Sequence, residues 1–220
     1  MPDPVRVMIL GTGQMGCGIA RLVLQKKGLA LVGAYARRAA RSGRDLGPIA
    51  GLERDLGIPV GNDLEQVIGA CRPQVAIQAT CSRLEDALPE IGVLVERGVD
   101  VVSIAEQMAW PAAASLPRAR ELHRLAVEHG ASVLGTGINP GFVLDLLIIA
   151  LSGVCAEVRA ISATRVNDLS PYGPSVLSTQ GVGLSPEQFR HGLEAGTVVG
   201  HFGFAESIHM MACALGWELE

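Results

Sequence analysis

The stretch "VRVMILGTGQMG" (residues 5–16) decides the fold. Six residues rich in Val, Ile, Met and Leu read as a buried strand, and they run straight into glycines at 11, 13 and 16. That G-x-G-x-x-G spacing, between a strand and a helix, has a mechanical reading. Gly11 makes a tight turn, Gly13 lets the backbone approach a pyrophosphate, and Gly16 lets the helix pack closely on the strand. The helix "QMGCGIARLVLQKK" (14–27) then offers free N–H groups to phosphate at its start. Gly11, Thr12, Gly13, Gln14, Met15 and Gly16 are therefore candidate cofactor-binding residues.

Working outward, short β-branched runs alternate with amphipathic stretches. Strands are expected at "LALVGAY" (29–35), "QVAIQAT" (74–80), "VDVVSIA" (99–105) and "ASVLGTG" (131–137). Helices are expected at "DLEQVIGAC" (63–71), "EDALPEIGVLVERG" (85–98) and "PRARELHRLAVEHG" (117–130), two of them stopping at glycine. Such alternation implies a parallel sheet with helices on both faces. The fold class is α/β, a Rossmann-type doubly wound parallel sheet over residues 1–138, followed by a second, here incomplete, α+β unit over 139–220.

About 20 residues past the glycines, an NAD site would carry an acid at the tip of the second strand. Here "GAYARRAAR" puts Ala36 in that place, followed by Arg37 and Arg38. Without the acid there is no repulsion toward a 2′-phosphate, and a guanidinium can hold that phosphate in a fork. NADP is favoured over NAD, with Arg37 and Arg38 as candidate ligands.

The bulk numbers remove several function classes. The 220 residues carry 18 Lys and Arg against 22 Asp and Glu, a formal charge of −4, so no basic footprint for nucleic acid exists. Five cysteines (17, 71, 81, 155 and 213) are scattered without a C-x-x-C pair, which fits a reducing compartment and not a disulfide framework. "FVLDLLIIALSGV" (142–154) is the nearest thing to a membrane span, but it carries Asp145 and is too short. A cytoplasmic protein with no membrane association is expected. No H-E-x-x-H occurs, and His123 and His129 are six residues apart, wrong for one helical face. No metal site is expected.

Beyond residue 138 the pattern changes. "INPGFVLDLLIIALSG" (138–153) reads as a helix with Asn139 as N-cap and Pro140 at its first position. "EVRAISATRVNDL" (157–169) alternates like an antiparallel strand. "SPEQFRHGLEAG" (185–196) opens with Ser185 and has Gln188 three residues on, a capping box, and "FAESIHMMACALGWELE" (204–220) is again helical. A single antiparallel strand cannot form a sheet alone, so this unit is expected to be completed elsewhere.

Strand tips are where such sheets meet ligands. Thr80 and Cys81 end one strand, and "VVSIAEQMAW" (101–110) sets a single carboxylate, Glu106, after the next. Spacing alone leaves three readings of Glu106: a helix start, a solvated group, or a proton-handling group in a partly desolvated pocket. Gly137 and Asn139, in the second glycine turn "GTGINPGF" (135–142), fall near the nicotinamide end of the expected cofactor, and Asn139 also reads as a simple cap.

Taken in order, "GTGQMG", "SIAEQMAWP", "VLGTGINPGFVLDLL", "TRVNDLS" and "GHFGFAES" resemble the 2,4-diaminopentanoate dehydrogenases and the related NAD(P)-dependent native amine dehydrogenases. These are dihydrodipicolinate-reductase-like oxidoreductases. The resemblance spans nearly the whole chain, with "GTGINPGF" its most specific part. It implies a Rossmann domain joined to a substrate domain in a homodimer, and reversible oxidative deamination of an amine to a ketone with ammonia as co-reactant. It also implies that Glu106 is the catalytic carboxylate.

Two departures stand out. Relatives often carry an acid where this chain has Ala36, and they are longer than this chain. No adjacent histidine pair exists, which argues against dihydrodipicolinate reductase activity itself. Trp110, Phe142, Leu144 and Phe204 are candidate apolar pocket walls. Arg165, Asn167 and His201 lie in matched segments and are candidates for the substrate side, Arg165 to grip a carboxylate. Each has an ordinary alternative as a surface arginine, a turn asparagine or a satisfied histidine. A homoserine- or diaminopimelate-type dehydrogenase and a non-catalytic NADP-binding protein are the competing readings.

Overall fold

Strand β1 (Val5–Leu10) lies in the middle of a six-stranded parallel sheet in the computed structural model, which describes residues 3–199 and 202–219. β2 (Leu29–Tyr35) and the two-residue β3 (Val60–Gly61) continue on one side. β4 (Val75–Gln78), β5 (Asp100–Ser103) and β6 (Val133–Gly135) continue on the other. The order 3-2-1-4-5-6 is that of a doubly wound Rossmann sheet, as expected from the alternation.

The two-residue period of β1 divides its side chains between two cores. Val7 and Ile9 join Ala20 and Val23 of α1 (Gln14–Gln25) and Leu46 of α2 (Leu46–Ile49). Met8 and Leu10 join the larger cluster under α3 (Leu64–Cys71), α4 (Leu84–Glu96) and α6 (Leu116–His129). A short α5 (Pro111–Ala114) precedes α6. Asp63 caps α3 by accepting from Gln66 N–H at 3.0 Å, and Gly130 ends α6 in the left-handed region. β3 and α2 carried no clear sequence signal. Two residues cannot show a period, and α2 is started by Asp45 alone.

Among the described residues, four helices follow the sheet: α7 (Leu146–Ser152), α8 (Pro174–Thr179), α9 (Pro186–Glu194) and α10 (Phe204–Leu215). The Ser185–Gln188 capping box forms in full. Two expectations need correction. The helix predicted from Asn139 instead starts at Leu146, with Asp145 as its N-cap. Gly141, at φ +113°, cannot carry a right-handed helix onward from Pro140. Asp145, fully buried, accepts from both Gly141 N–H (2.7 Å) and Leu146 N–H (2.6 Å). The strand predicted over 157–169 is an irregular, largely exposed segment, because a strand needs a hydrogen-bonded neighbour and no described residue supplies one.

Candidate active site

Parallel pairing puts the ends of β2, β1, β4, β5 and β6 along one edge of the sheet, with Tyr35, Leu10, Gln78, Ser103 and Gly135 in one row. At that edge lie the glycine loop, Arg37, Arg38, Thr80, Glu106, Gly137 and Asn139. The glycine loop is built as its spacing requires. A Cβ on Gly11, at φ +99°, would meet Ala79 O at 2.4 Å, and one on Gly16 would meet Gly11 O at 1.8 Å. At Gly13 a Cβ would meet nothing within 4 Å. The closure of the loop therefore needs Gly11 and Gly16, while Gly13 leaves backbone open to the outside. Gly13 is also the N-cap of α1 and supplies no capping side chain, so the first-turn N–H groups are free for an anion. Gln14 and Met15 are exposed beside it, and Thr12 is buried beneath.

The arginines after β2 divide their work. Arg37 donates from Nε to Glu90 Oε1 at 2.6 Å and from Nη2 to Asp86 O at 2.7 Å, so it lies against α4. Arg38 is exposed, and its side chain has no hydrogen-bond partner among the described residues. Arg41, which motif reading passed over, donates to the Thr12 carbonyl of the glycine loop. Ala36 is buried and ends β2 by donating its N–H to Gly61 O.

Glu106 opens a 3-10 turn, Glu106–Ala109, directly after β5. It caps nothing, is half-buried, and has no hydrogen-bond or ion-pair partner among the described residues. The turn is gripped on several sides. Gln107 N–H donates to Ser82 O, and Leu84 N–H donates to Gln107 Oε1 at 2.8 Å. Gly135 comes so close that a Cβ there would lie 1.7 Å from Met108 O. The fixed backbone and unpaired carboxylate leave Glu106 able to take a proton or face a cation.

The second glycine turn follows β6. Thr136 N–H donates to Ser103 O, and a Cβ on Gly137 would lie 2.6 Å from Pro140 O. Asn139 precedes Pro140 across a cis peptide and is half-buried. Helix α10 packs against α5, α7 and the Glu106 turn. Gly203 at its start touches the Pro140 ring, and Arg83 stands over the Phe202 ring at 5.5 Å. Trp110, directly after the turn, and Phe204, at the first position of α10, thus belong to mutually packed elements. Phe142 is exposed and Leu144 half-buried in the loop before α7. Arg165 and Asn167 lie on the irregular 156–169 segment, and neither side chain forms a hydrogen bond among the described residues. His201 lies outside the described residues.

Sequence reasoning missed the buried polar groups behind these loops: Gln78, Glu90, Ser103 and Asp145. Their common signal is a polar residue inside an apolar run, as in "VAIQ" and "DVVS". Among the described residues no three His, Cys, Asp or Glu side chains gather as a metal would need, and no helix is long and apolar enough to cross a membrane.

Comparison with known proteins agrees with this architecture in both halves. Residues 5–103 match the dihydrodipicolinate reductase N-terminus, and residues 142–220 match the 2,4-diaminopentanoate dehydrogenase C-terminal domain. The chain is 42% identical to the 2,4-diaminopentanoate dehydrogenase of Acetoanaerobium sticklandii over 99% of its own length and 62% of that protein. Over nearly its whole length the chain is similar to the 2,4-diaminopentanoate dehydrogenases. An amine dehydrogenase of Streptomyces virginiae is 29% identical over 98% of this chain and 61% of its own. Among solved structures, the amine dehydrogenase of Mycobacterium smegmatis superposes with TM-score 0.78 at 29% identity, over 95% of this chain and 61% of that one. The chain spans about three-fifths of the length of the curated relatives it matches.

Proposed function

We propose that this chain carries the cofactor and catalytic part of an NADP(H)-dependent amine dehydrogenase, which interconverts an amine with a ketone and ammonia. One observation carries the reading. Glu106 is a half-buried carboxylate without a partner among the described residues, on a tightly held turn at the C-terminal edge of the sheet. The likeness to a 2,4-diaminopentanoate dehydrogenase and an amine dehydrogenase supports the same chemistry.

The residues present fit a dinucleotide. Open space at Gly13 and the uncapped start of α1 suit a pyrophosphate. Arg38, beside the buried Ala36 and with no competing partner among the described residues, suits a 2′-phosphate, which favours NADP over NAD. Thr80, Gly137 and Asn139 flank the nicotinamide end in this reading. When bound, the reduced nicotinamide supplies hydride to the substrate carbon.

Every other step falls to the chain's own residues. Glu106 accepts a proton from ammonium or from the carbinolamine, assists loss of water, and stabilises the iminium cation through its negative charge. Trp110, Phe142, Leu144 and Phe204 wall the pocket. Arg165, Asn167 and His201 face the substrate, with Arg165 holding a carboxylate if the substrate is an amino acid such as 2,4-diaminopentanoate. Residues 1–138 form the cofactor domain and 139–220 belong to the substrate and dimerisation domain of a cytoplasmic homodimer.

The test is NADPH oxidation with excess ammonium and a panel of small ketones that includes 2-amino-4-oxopentanoate. Turnover that requires ammonium and collapses in Glu106→Gln is the expected result. A folded protein that binds NADPH and shows no ammonium-dependent turnover would refute the activity.

A further inference from the structure

A series of hydrogen bonds crosses the C-terminal edge of the sheet from the Glu106 turn to Arg37. Ala105 N–H donates to Ser103 Oγ at 3.2 Å, and Ser103 Oγ donates to Gln78 Oε1 at 2.6 Å. Gln78 Nε2 donates to Thr80 Oγ1 at 2.7 Å, and Thr80 Oγ1 donates to Glu90 Oε2. Arg37 Nε closes the series on Glu90 Oε1 at 2.6 Å.

Its direction is fixed from both ends. A main-chain N–H can only donate and an ionised carboxylate can only accept. Each hydroxyl between them therefore has one arrangement, and the Gln78 amide one orientation. The remaining Gln78 N–H is taken by Cys81 Sγ at 3.1 Å. Gln78 and Ser103 are paired across β4 and β5 and have no exposed surface. Two fully buried polar side chains at the ends of neighbouring strands are costly unless fully bonded, and here they are bonded to one another and onward. Arg37 Nε donates to the second oxygen of Glu90.

We propose that this series holds the Glu106 carboxylate in place, with Ser103 and Gln78 as positioning residues. The proposal rests on the catalytic reading of Glu106 given above. The bond to Ser103 acts on the residue immediately before Glu106, whose backbone angles aim that side chain. Contacts through Gln107, Met108 and Gly135 secure the far side of the turn. Losing the Ser103 acceptor leaves the turn attached and the carboxylate free to swing.

Two variants test this in the full chain. Ser103→Ala removes the acceptor. Gln78→Glu keeps the shape but, when ionised, cannot donate to Thr80. The readouts are hydrogen exchange at the Ala105 amide, NADPH binding, and ammonium-dependent kcat and KM. Ser103→Ala is expected to speed exchange at Ala105 and lower kcat about 10- to 100-fold, the loss that small misplacements of reacting groups produce, with NADPH affinity unchanged. Gln78→Glu is expected to lose kcat relative to the unmodified chain where its carboxyl is ionised, and that ratio, compared at equal pH, is expected to rise on acidification as the carboxyl recovers a donor. A general packing defect gives no such recovery.

Unchanged exchange at Ala105 in folded Ser103→Ala overturns the proposal, as does faster exchange with unaltered kcat. If the unmodified chain shows no turnover, the amine dehydrogenase reading fails separately. The exchange measurement then decides: retained protection overturns the positioning role, and lost protection upholds it.

Discussion

Arg37 Nε lies 2.6 Å from Glu90 Oε1, so the first arginine after β2 is already bound to a carboxylate whose side chain is only 8% exposed. Its neighbour Arg38 has no such tie among the described residues. The two substitutions should therefore separate. Arg38→Ala is expected to weaken NADPH binding about tenfold, the worth of one charge-assisted contact, while NADH binding stays as it was. Arg37→Ala should leave the NADPH-to-NADH ratio unchanged and cost about 1–3 kcal/mol of stability, because Glu90 is left without its partner. Fluorescence titration with both nucleotides and thermal unfolding of the two variants check this.

The glycines of the first loop should also part company. Gly13→Ala places its Cβ in open space, so unfolding stability should fall by about 1 kcal/mol or less, the usual cost of alanine at an N-cap. Dinucleotide affinity should drop much more, because the methyl occupies the approach to the phosphates. Gly16→Ala collides with Gly11 O and is expected to compromise the fold itself. Circular dichroism melts beside nucleotide titrations distinguish the two outcomes.

Asp145 takes three donors: Gly141 N–H, Leu146 N–H and Ser207 Oγ, the last at 2.8 Å. It thereby ties the second glycine turn to α7 and α10. Asp145→Ala strands the buried Gly141 donor and the part-buried Leu146 donor and should destabilise by about 2–4 kcal/mol, whereas Ser207→Ala, which removes one bond, should cost about 1 kcal/mol. Urea unfolding of the two variants measures the difference.

Acid should loosen the segment between β2 and β3. The Asp45 carboxylate accepts from Leu56, Gly47 and Ile58 N–H groups, which hold its pKa below the usual aspartate range. A depressed folded pKa means that the contribution is complete above the unfolded value of about 3.9 and is lost as pH falls through the folded value. Asp45→Asn should lower stability at neutral pH and flatten the decline of the thermal midpoint below about pH 4. Melts across that range on both proteins are the check.

The sheet was legible because its evidence is local. β1, β2, β4, β5 and β6 are each a short apolar run set off by glycine or by the start of a helix, and a parallel sheet buried on both faces asks for little more. Past residue 138 the same kind of reading failed twice. Residues 157–169 have strand-like alternation, but pairing is a property of two segments, and the chain described here offers only one. Around Pro140 the apolar run reads as a helix starting at Asn139, and the helix starts at Leu146 instead. Asp145 decided the matter by satisfying Gly141 and Leu146 together, a long-range choice sealed by Ser207. In the site, the glycine spacing and the place of Glu106 after β5 were readable from sequence, while position alone left the role of Glu106 open. Gln78, Ser103 and Glu90 were not, since a polar residue in a buried strand announces that it has a partner without saying which.

The place of β1 between β2 and β4 has a consequence during synthesis. β2 can cover one edge of β1 soon after it appears, but the other edge waits for Val75–Gln78, nearly 70 residues behind. At about 5–20 residues per second on a ribosome, that wait is on the order of 3–14 seconds. Throughout it, a strand whose Val7, Met8, Ile9 and Leu10 are all buried in the finished protein stands open on one side, which makes the emerging half-sheet a natural client for chaperones.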